Sequence, residues 1–316
     1  MKIAFHDNCL CVRGTTTALF DYANWSSKLF NIEPIIMYNK NNINNQNFVI
    51  EKFERKFKVV GYSDRSEIDQ ILLDNECDAF FMIKGGQRDG IISNVCKNWV
   101  NAISICNLSD VHGDRFAMGS KWLSDITNNQ IDYVSYMVDL PTNITEDLRQ
   151  ELGIPKSAIV FGRNGGQDTF DINFVKKAIE ESLKSRSDIY FLFQGTDKFY
   201  EHERIIYLPP SSDIETKVKF INTTDVLLHA REVGESFGLT CAEFSMLNKQ
   251  VITWFGSRER NHINYLGEKG IYYNNYNDIL NILLTFVPDK TQDWRCYNDC
   301  LPEAVMEKFK KIYLEK

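Results

Sequence analysis

Short apolar segments alternate along the chain with segments whose apolar side chains recur at helical spacing. After the apolar run Ile3–Phe5, for example, Leu19, Tyr22 and Leu29 fall on one face of a helix. The strands predicted in the first half are Ile3–Phe5, Pro34–Met37, Lys58–Gly61, Ala79–Ile83 and Ala102–Cys106. Short apolar strands separated by helical segments build parallel sheets that are covered on both faces, so the pattern predicts an α/β fold.

The alternation breaks between residues 138 and 157 and then starts again. The segment Val138–Asn143 is typical of a linker, and Ile144–Leu152 is predicted to form a short helix. The strands predicted after the break are Ala158–Phe161, Ile189–Gln194, Ile205–Leu208, Val226–His229, Gln250–Trp254 and Gly270–Tyr273. The helices predicted there are Asn173–Leu183, Ile214–Asn222, Leu239–Leu247 and Pro302–Lys316. We therefore predict two Rossmann-like parallel-sheet domains, residues 1–139 and 140–301, that face a ligand cleft at the carboxyl ends of their strands.

The composition limits the classes of protein that fit this pattern. The chain has 316 residues, a formal net charge of −7 and 43% hydrophobic residues, as expected for two globular domains. The acidic balance disfavours a nucleic-acid-binding protein, because phosphate neutralisation requires a basic field. The apolar runs are far shorter than the roughly 20 residues of a membrane-spanning helix, and the polar start does not resemble a signal peptide. We expect a cytoplasmic protein without a transmembrane segment.

The eight cysteines form no Cys-x-x-Cys pair and no regular framework. Several of them, including Cys77 and Cys241, lie within apolar segments. We interpret them as buried thiols of a reducing compartment rather than as disulfides or zinc ligands. Cys9-x-Cys11 and Cys296-x3-Cys300 have no partner cluster at metal spacing, so we predict neither a bound metal nor a cofactor.

The most specific segment is Thr224–Ile252, in which Glu235 and Glu243 flank Phe237-Gly238-Leu239. The pattern predicts a strand, a loop and then a helix that begins near Gly238. The free amides and the positive dipole end of a helix start suit a pyrophosphate. Carboxylates beside that start accept hydrogen bonds from ribose or sugar hydroxyls. For an isolated pair of glutamates, a helix cap and a solvated surface residue would be the simpler interpretation.

This segment resembles the retaining, family-four-type glycosyltransferases of the GT-B fold. In that family an Asp-Val strand leads to Glu-Gly-Phe-Gly-Leu and to a second Glu eight residues after the first. Here Asp225-Val226 leads to Glu235-Ser236-Phe237-Gly238-Leu239 and to Glu243, with Ser236 in place of a glycine. The resemblance implies that Glu235 contacts the donor sugar, that the amides of Phe237–Leu239 hold the diphosphate, and that Glu243 binds the ribose. It also implies that the last helix, residues 302–316, packs back on the first domain.

A second match to the family opens the same domain, where Gly162-Arg163 and Gly165-Gly166 follow a predicted strand. An arginine at the carboxyl end of a strand can bind two phosphate oxygens, and the glycines let the backbone approach the ligand. The family usually carries a Lys five residues after this Arg, whereas this chain has Asp168. Arg231 either supplies the missing positive charge or is a solvated loop residue, and the sequence leaves both interpretations open.

The first domain has less specific candidates. Arg13-Gly14-Thr15 precedes the first predicted helix, where GT-B enzymes have a glycine-rich loop, and Gly85-Gly86 follows the fourth predicted strand. His112 follows the fifth, close to where related enzymes carry a His beside the transferred sugar. His6-Asp7 also follows a strand. Plain turns and a structural histidine are the alternative interpretations of these residues.

Together these features predict a GT-B glycosyltransferase that moves a hexose from a nucleotide diphosphate sugar to a hydroxyl of a saccharide, glycan or other acceptor, with retention by resemblance. The predicted catalytic residues are Glu235, Arg163 and His112. The predicted donor-binding residues are Arg163, Gly165, Gly166, Arg231, Glu235, Ser236, Phe237, Gly238, Leu239 and Glu243. The residues predicted on the first-domain side of the cleft are Arg13, Gly14, Thr15, Gly85 and Gly86. No Asp-x-Asp occurs, so we expect arginine and helix amides, rather than a metal ion, to neutralise the diphosphate.

Other functions remain as alternatives at this stage. The sequence has no Gly-x-Gly-x-x-Gly after the first strand and no P-loop, which disfavours nicotinamide enzymes and NTPases. A sugar-nucleotide epimerase, a phosphorylase, or a non-catalytic module that binds a nucleotide sugar or glycan would share the fold, and Asp168 favours the last of these. Lys308, Lys310 and Lys311 on the final helix form either a solvated face or a membrane-surface contact, of which the first is simpler.

Overall fold

The computed structural model describes residues 1–315 of the chain. Over this range the protein divides into two compact units. Unit 1 comprises Met1–Asp139 together with the C-terminal segment that starts at Asp299, and unit 2 comprises Leu140–Asn298. Lys316, the last residue of the predicted final helix, lies outside the described residues.

Unit 1 is built on a six-stranded sheet in which all neighbouring strands are parallel. Its strands are β1 (Lys2–Asp7), β2 (Glu33–Asn39), β3 (Lys58–Tyr62), β4 (Ala79–Lys84), β5 (Lys97–Ala102) and β6 (Arg115–Met118). Its first four helices are α1 (Gly14–Phe30), α2 (Asn47–Glu54), α3 (Ile68–Asp74) and α4 (Lys121–Ile126). The strand order β3-β2-β1-β4-β5-β6 is that of a doubly wound, Rossmann-like sheet. The order reverses between β1 and β4, the position where such sheets bind ligands.

Unit 2 repeats this topology with a second parallel six-stranded sheet. The strands are β7 (Ile159–Asn164), β8 (Ile189–Gln194), β9 (Ile205–Leu208), β10 (Val226–Leu228), β12 (Gln250–Trp254) and β14 (Ile271–Tyr273), while β11 (Gly234–Glu235) and β13 (Glu259–Arg260) form a separate pair. The helices are α5 (Asn173–Ser185), α6 (Ile214–Thr223), α7 (Leu239–Met246), α8 (Asn261–Leu266) and α9 (Tyr276–Thr285). The order β14-β12-β10-β7-β8-β9 reverses between β7 and β10. The predicted fold class, an α/β protein with two Rossmann-like parallel-sheet domains, is confirmed.

The end of the chain completes unit 1. Helix α10 (Pro302–Phe309) begins with a proline, which suits the first helical turn, and runs on into a wider turn at Lys310–Leu314. The ring of Phe309 lies 5.7 Å from that of Tyr22 on α1 and 5.4 Å from that of Phe81 on β4. Tyr313 donates a hydrogen bond to the carbonyl of Val100 at 2.8 Å. Residues more than 200 positions downstream therefore cover one face of the first sheet.

The strands are continuous apolar runs in the sequence because they lie in the hydrophobic cores of the two units. All six residues of β4 are buried, and in unit 2 Phe161, Phe191 and Phe193 are at most 1% exposed. Each such phenylalanine contributes roughly 1.5–3 kcal/mol by leaving water. A strand covered on both faces has no polar side, so its pattern carries no alternation.

The predicted strand Ala102–Cys106 is wrong, because the fifth strand is Lys97–Ala102 and ends where the prediction begins. Asn98 and Asn101 interrupt the apolar residues of this strand, so the sequence pattern did not predict it. Asn101 is buried and donates to the carbonyl of Val134 at 3.0 Å, and Asn98 accepts from the amide of Ser93 at 2.7 Å. Buried amides of this kind are stable because each finds a backbone partner, which a local pattern does not reveal.

The predicted helix Ile144–Leu152 is also wrong, because this segment forms turns. Arg149 donates to the carbonyls of Thr223 at 3.0 Å and Ala158 at 2.8 Å, and to the carboxylate of Asp225 at 2.8 Å. These contacts fix the segment against β7 and β10. Helices α2, α4, α8 and α9, strand β6 and the β11–β13 pair were not predicted. None of the helices within residues 1–315 combines the length and apolarity needed to cross a bilayer.

Candidate functional site

The candidate site lies within unit 2, where the strand order reverses. Strands β7 and β10 are direct neighbours there, with Val226 beside Phe161 and Leu227 beside Gly162. Thr240, in the first turn of α7, donates to the carbonyl of Asn164 at the end of β7, at 3.0 Å. The loops after β7 and β10 and the start of α7 are thus brought to one edge of the sheet, as the sequence predicted for a ligand site.

Arg163, in β7, is buried at this edge and holds the loop that follows it. Its guanidinium donates to the carbonyl of Gly166 at 2.9 Å and to the hydroxyls of Thr169 and of Thr196, the latter at 2.5 Å. Burial lowers the pKa of Arg163 to about 10, although the charge of Glu235 opposes this effect. The side chain is thus a desolvated cation whose donors now satisfy protein oxygens, and an arriving phosphate would compete with those oxygens.

The glycines after Arg163 pack closely on it. A Cβ atom at Gly165 would lie 2.8 Å from a terminal nitrogen of Arg163, so a larger residue would displace the guanidinium. Asp168, which stands where the resembled family has lysine, is exposed to solvent. Gly165 and Gly166 therefore lie beside the Arg163 guanidinium, and Asp168 adds no positive charge there.

Glu235 is held by hydrogen bonds on both carboxylate oxygens. Nε2 of His229, just after β10, lies 3.2 Å from one oxygen, and Arg231 donates to the other at 3.0 Å. Burial alone would raise the pKa of Glu235, but the His229 hydrogen bond and the charge of Arg231 outweigh it and lower the pKa to about 2. The carboxylate is charged at neutral pH, and with 22% of its side chain exposed it can still accept a hydrogen bond from a ligand.

Arg231 is part of this site rather than a solvated loop residue. Its side chain is one third exposed and pairs with Glu235. Burial acts to lower the pKa of Arg231, but the neighbouring carboxylate raises it overall. Arg163 and Arg231 thus place two guanidinium groups next to the start of α7, where Glu235, Asp168, Asp171 and Glu259 also act on them. Guanidinium groups and a helix start are both donors that suit an anion.

Behind Glu235 lies a chain of buried side chains that the sequence did not reveal. Nδ1 of His229 lies 2.8 Å from the hydroxyl of Thr253, which in turn lies 3.1 Å from Nε2 of His262. Burial lowers the pKa of His262 to about 3, so its ring is neutral at ordinary pH. One hydroxyl therefore orients two imidazoles, and through His229 it orients Glu235. Only long-range contacts create this chain, so no local motif marks it.

The start of α7 is shaped by Gly238, which caps the helix in the left-handed conformation with a φ of 87°. A Cβ atom there would lie 3.0 Å from that of His262 and 3.2 Å from that of Glu235. Phe237 is buried, and its carbonyl accepts from Asn261 at 2.8 Å. Ser236 and Leu239 are partly buried on either side. The amides of this first turn point away from the helix body, as all helix starts do.

Glu243 lies one turn further along α7 and is almost fully buried. Its carboxylate accepts from the ammonium of Lys217 on α6 at 2.6 Å. The interpretation of Glu243 as a solvated surface residue is therefore excluded. Lys217 lies 26 positions away in sequence and belongs to no motif, so sequence reasoning missed it.

The unit 1 candidates fall into two groups. Gly14 begins α1 with Arg13 as its exposed cap, and Thr15 follows in the first turn, beyond the carboxyl end of β1. Gly85 and Gly86 follow β4, where Gly86 packs against Ala102 and Cys106. Both loops lie where the order of the first sheet reverses. These five residues therefore share the strand edge at which a ligand of unit 1 would be expected.

His112 does not belong to that edge. It precedes β6, and the next residue, Gly113, packs on the carbonyl of Asn98 at the amino end of β5. The His112 ring bonds the carbonyl of Asp110 at 2.7 Å and packs against Phe116. The strand that was expected to carry it to the carboxyl edge does not form, so the structural argument for a catalytic His112 is lost.

His6 lies in β1, 3.0 Å from the hydroxyl of Tyr62, and burial lowers its pKa to about 3.

Within residues 1–315, no group of three or more His, Cys, Asp or Glu side chains is arranged to hold a metal ion. The positive charge at the site comes from arginines and from the helix start.

Two doubly wound units of the same strand order, joined so that the end of the chain returns to the first, define the GT-B architecture, and the chain has this fold. Among solved structures it resembles Anabaena HepE in complex with UDP-glucose, at a TM-score of 0.71 and 13% identity over 98% of both chains. It also resembles WaaG, a glycosyltransferase involved in lipopolysaccharide biosynthesis, at a TM-score of 0.65 and 12% identity over 99% of this chain and 100% of that one. The MnaA–UDP structure from S. aureus gives a TM-score of 0.65 at 15% identity over 100% and 97% of the two chains. No protein-family profile and no curated protein matches the sequence.

Proposed function

We propose that the protein is a glycosyltransferase that moves a hexose from a nucleotide diphosphate sugar to a hydroxyl of a saccharide or glycan, with retention and without a metal ion. The observation that carries the proposal is the convergence of Arg163, Arg231 and Glu235 with the start of α7 at the carboxyl edge of the second sheet. This grouping supplies cations and amides for a diphosphate and a charged acceptor for sugar hydroxyls. The UDP-glucose complex of HepE, which has the same fold, supports a nucleotide-sugar donor.

In this proposal each group has a definite role on the donor. Arg163 exchanges its bonds to Thr169 and Thr196 for phosphate oxygens, and the amides from Phe237 to Leu239, where α7 begins, bind the same diphosphate. Arg231 stands in for the lysine that the family has at the position of Asp168. Glu235 accepts a hydrogen bond from a sugar hydroxyl. Glu243, already oriented by Lys217, accepts one from the ribose.

The reaction then needs no further catalytic carboxylate. The bond from the anomeric carbon to the diphosphate oxygen breaks, and its electron pair leaves with the diphosphate. The charge that develops on this oxygen is stabilised by Arg163 and the helix amides. The acceptor oxygen bonds to the anomeric carbon from the leaving-group side, and its proton passes to the departing phosphate oxygen. Unit 1, with its loops after β1 and β4, is proposed to bind the acceptor.

A sugar-nucleotide epimerase is the second candidate. It is favoured by one structural neighbour, a Listeria monocytogenes protein described as a candidate UDP-N-acetylglucosamine 2-epimerase, with a TM-score of 0.61 at 12% identity. An epimerase would convert a nucleotide sugar without any acceptor, whereas a transferase requires one.

Isothermal calorimetry against nucleoside diphosphates with different bases, and against their glucose conjugates, tests the donor site. We expect one base to bind selectively, and we expect Arg163→Ala to weaken that binding at least about tenfold, because it removes a charge-assisted phosphate contact. Arg258→Ala is the matched control, since the Arg258 side chain is 71% exposed and pairs only with its neighbour Glu259 among the described ion pairs.

Two results would oppose this assignment. If no nucleotide binds, the proposal of a nucleotide-sugar enzyme fails. If Arg163→Ala and Arg258→Ala bind equally well, the donor lies elsewhere than at the β7 edge.

A further inference from the structure

Two cysteines that the proposed function does not use face each other in unit 1. The Sγ atoms of Cys9 and Cys11 are 3.6 Å apart, and the two residues are only 8% and 5% exposed. They lie in the irregular segment between β1 and α1, at the edge where the order of the first sheet reverses. The sequence showed these residues as an isolated Cys-x-Cys without metal spacing.

The backbone around the two cysteines is hydrogen-bonded to the asparagine-rich loop that follows β2. The amide of Leu10 donates to the side chain of Asn45 at 3.0 Å, and the amide of Val12 donates to the side chain of Gln46 at 2.8 Å. Gln46 in turn donates its amide to the carbonyl of Leu10 at 2.9 Å. Because the residue between the cysteines and the residue after them are both fixed, the two sulfur atoms are kept together by the fold.

The polar groups next to the pair make the two thiols unequal. The two sulfur atoms share a hydrogen bond in which either thiol can donate. With Cys9 as the donor, this bond and the charge of Arg13 lower the pKa of Cys11 to about 7, against the effects of burial and of Asp7. The same bond and burial raise the pKa of Cys9. Thr16 lies over both residues, since its hydroxyl contacts the carbonyl of Cys9 and the amide of Cys11. In this arrangement Cys11 is the sulfur that reacts first, and Cys9 is the protonated thiol beside it.

We propose that Cys9 and Cys11 form a redox modification site, in which a small peroxide converts the facing thiols into a reversible intrachain disulfide. The Cys11 thiolate attacks one oxygen of hydrogen peroxide, the O–O bond breaks, and hydroxide leaves, which gives a sulfenic acid at Cys11. The Cys9 sulfur then attacks the Cys11 sulfur, the S–O bond breaks, and the Cys9 proton leaves with the hydroxide as water. Two thiols are oxidised and one peroxide is reduced to two waters.

The geometry suits this reaction with little rearrangement. A disulfide has its sulfur atoms about 2.05 Å apart, so the two atoms need to approach by only about 1.5 Å. A small oxidant also fits the burial of the pair better than a bulky disulfide such as glutathione. The inference does not depend on the proposed transferase, because it concerns thiol chemistry in unit 1 alone.

Peptide mapping after peroxide treatment tests the site. The folded protein is treated with hydrogen peroxide, blocked with iodoacetamide, digested and analysed by mass spectrometry with and without dithiothreitol. We expect the peptide with Cys9 and Cys11 to lose two hydrogens before any other cysteine reacts, and to regain them on reduction. Cys106→Ser is the matched control, because Cys106 is 7% exposed in the same unit but its sulfur faces Met118.

Single variants separate the two roles. Cys9→Ser leaves the Cys11 sulfenic acid without its resolving partner, so it should accumulate and be trapped by dimedone. Cys11→Ser removes the nucleophile and should slow peroxide consumption at the segment at least about tenfold. If a variant does not fold, the wild type in guanidinium serves as the second comparison, in which the preference for this peptide should vanish. Oxidation of other cysteines first, or equal rates in the folded and unfolded protein, would overturn the proposal.

Discussion

At the scale of single residues, Glu235 shows how a carboxylate can be largely buried and yet remain charged. Desolvation favours its protonated form, but one imidazole and one guanidinium hold its two oxygens and reverse the balance. The cost of burial is thus offset by fixed partners that also orient the group. In the proposed reaction this preorganised charge meets the donor sugar.

We expect Glu235→Gln to lower the turnover of sugar transfer at least about a hundredfold, because it removes a charged contact made to the reacting sugar. Glu232→Gln is the control, since Glu232 lies in the same loop with its side chain exposed. Steady-state kinetics with each variant provides the measurement, and circular dichroism checks the fold. Equal turnover in the two variants would remove Glu235 from the reaction.

His262 gives a prediction for the pH dependence of stability. Its pKa is about 3 in the folded protein against an ordinary value of 6.5, so below about pH 6.5 the unfolded chain binds a proton that the folded protein does not. Stability is therefore lost as the pH falls from about 6.5 towards 3. The loss approaches about 1.4 kcal/mol per pH unit, or about 2 kcal/mol between about pH 7 and pH 5.

Urea unfolding of the wild type and of His262→Gln at these two pH values measures the effect. The variant should lose about 2 kcal/mol less than the wild type on acidification. Burial raises the pKa of Asp7 to about 6, which acts in the opposite direction, but both proteins carry Asp7 and its effect cancels. An identical loss in both proteins would mean that His262 is protonated inside the fold.

At the scale of elements, α6 and α7 are linked by the buried pair of Lys217 and Glu243. Removal of one partner from a buried ion pair leaves an uncompensated charge. We expect Lys217→Met to lower the free energy of unfolding by about 3 kcal/mol, and the double variant with Glu243→Gln to recover most of that loss. Denaturant unfolding measures both.

Lys219→Met, on the same helix, is the control for this pair because it retains both Lys217 and Glu243. Lys219→Met should lower the free energy of unfolding by much less than Lys217→Met does. If the double variant is no more stable than Lys217→Met alone, the two side chains are not coupled.

Some strands and loops could be predicted from the sequence pattern, and others could not. Strands such as β9 and β12 were predicted with their observed bounds, because their apolar runs are bounded by turn residues. Strand β5 was misplaced since Asn98 and Asn101 depend on backbone partners that are distant in sequence. The Glu235 segment was found from its local spacing, whereas Lys217 and the Thr253–His262 chain arise only when strands meet. Local pattern therefore predicted the loops of the site, and tertiary contact determined which side chains support them.

At the scale of the whole molecule, two units with one strand order carry different groups at equivalent edges. Unit 2 concentrates arginines, a carboxylate and a helix start where its order reverses, while unit 1 places the thiol pair and two glycine-containing loops there. A chain with a net charge of −7 therefore still brings two arginines and a helix start to one edge, a combination that suits a diphosphate. The balance of the whole sequence gave no indication of that edge, because it depends on a few side chains brought together by the fold.

Proton NMR of the anomeric signals during the reaction shows whether the protein transfers a sugar to an acceptor with retention. The protein is incubated with the nucleotide sugar that calorimetry selects, with and without a panel of saccharide acceptors, in buffer containing a metal chelator. We predict nucleoside diphosphate release that requires an acceptor, together with a new glycosidic signal of the same anomeric configuration as the donor. A tightly bound donor that is never transferred to any acceptor, or a sugar converted without one, would show that the protein is not a glycosyltransferase.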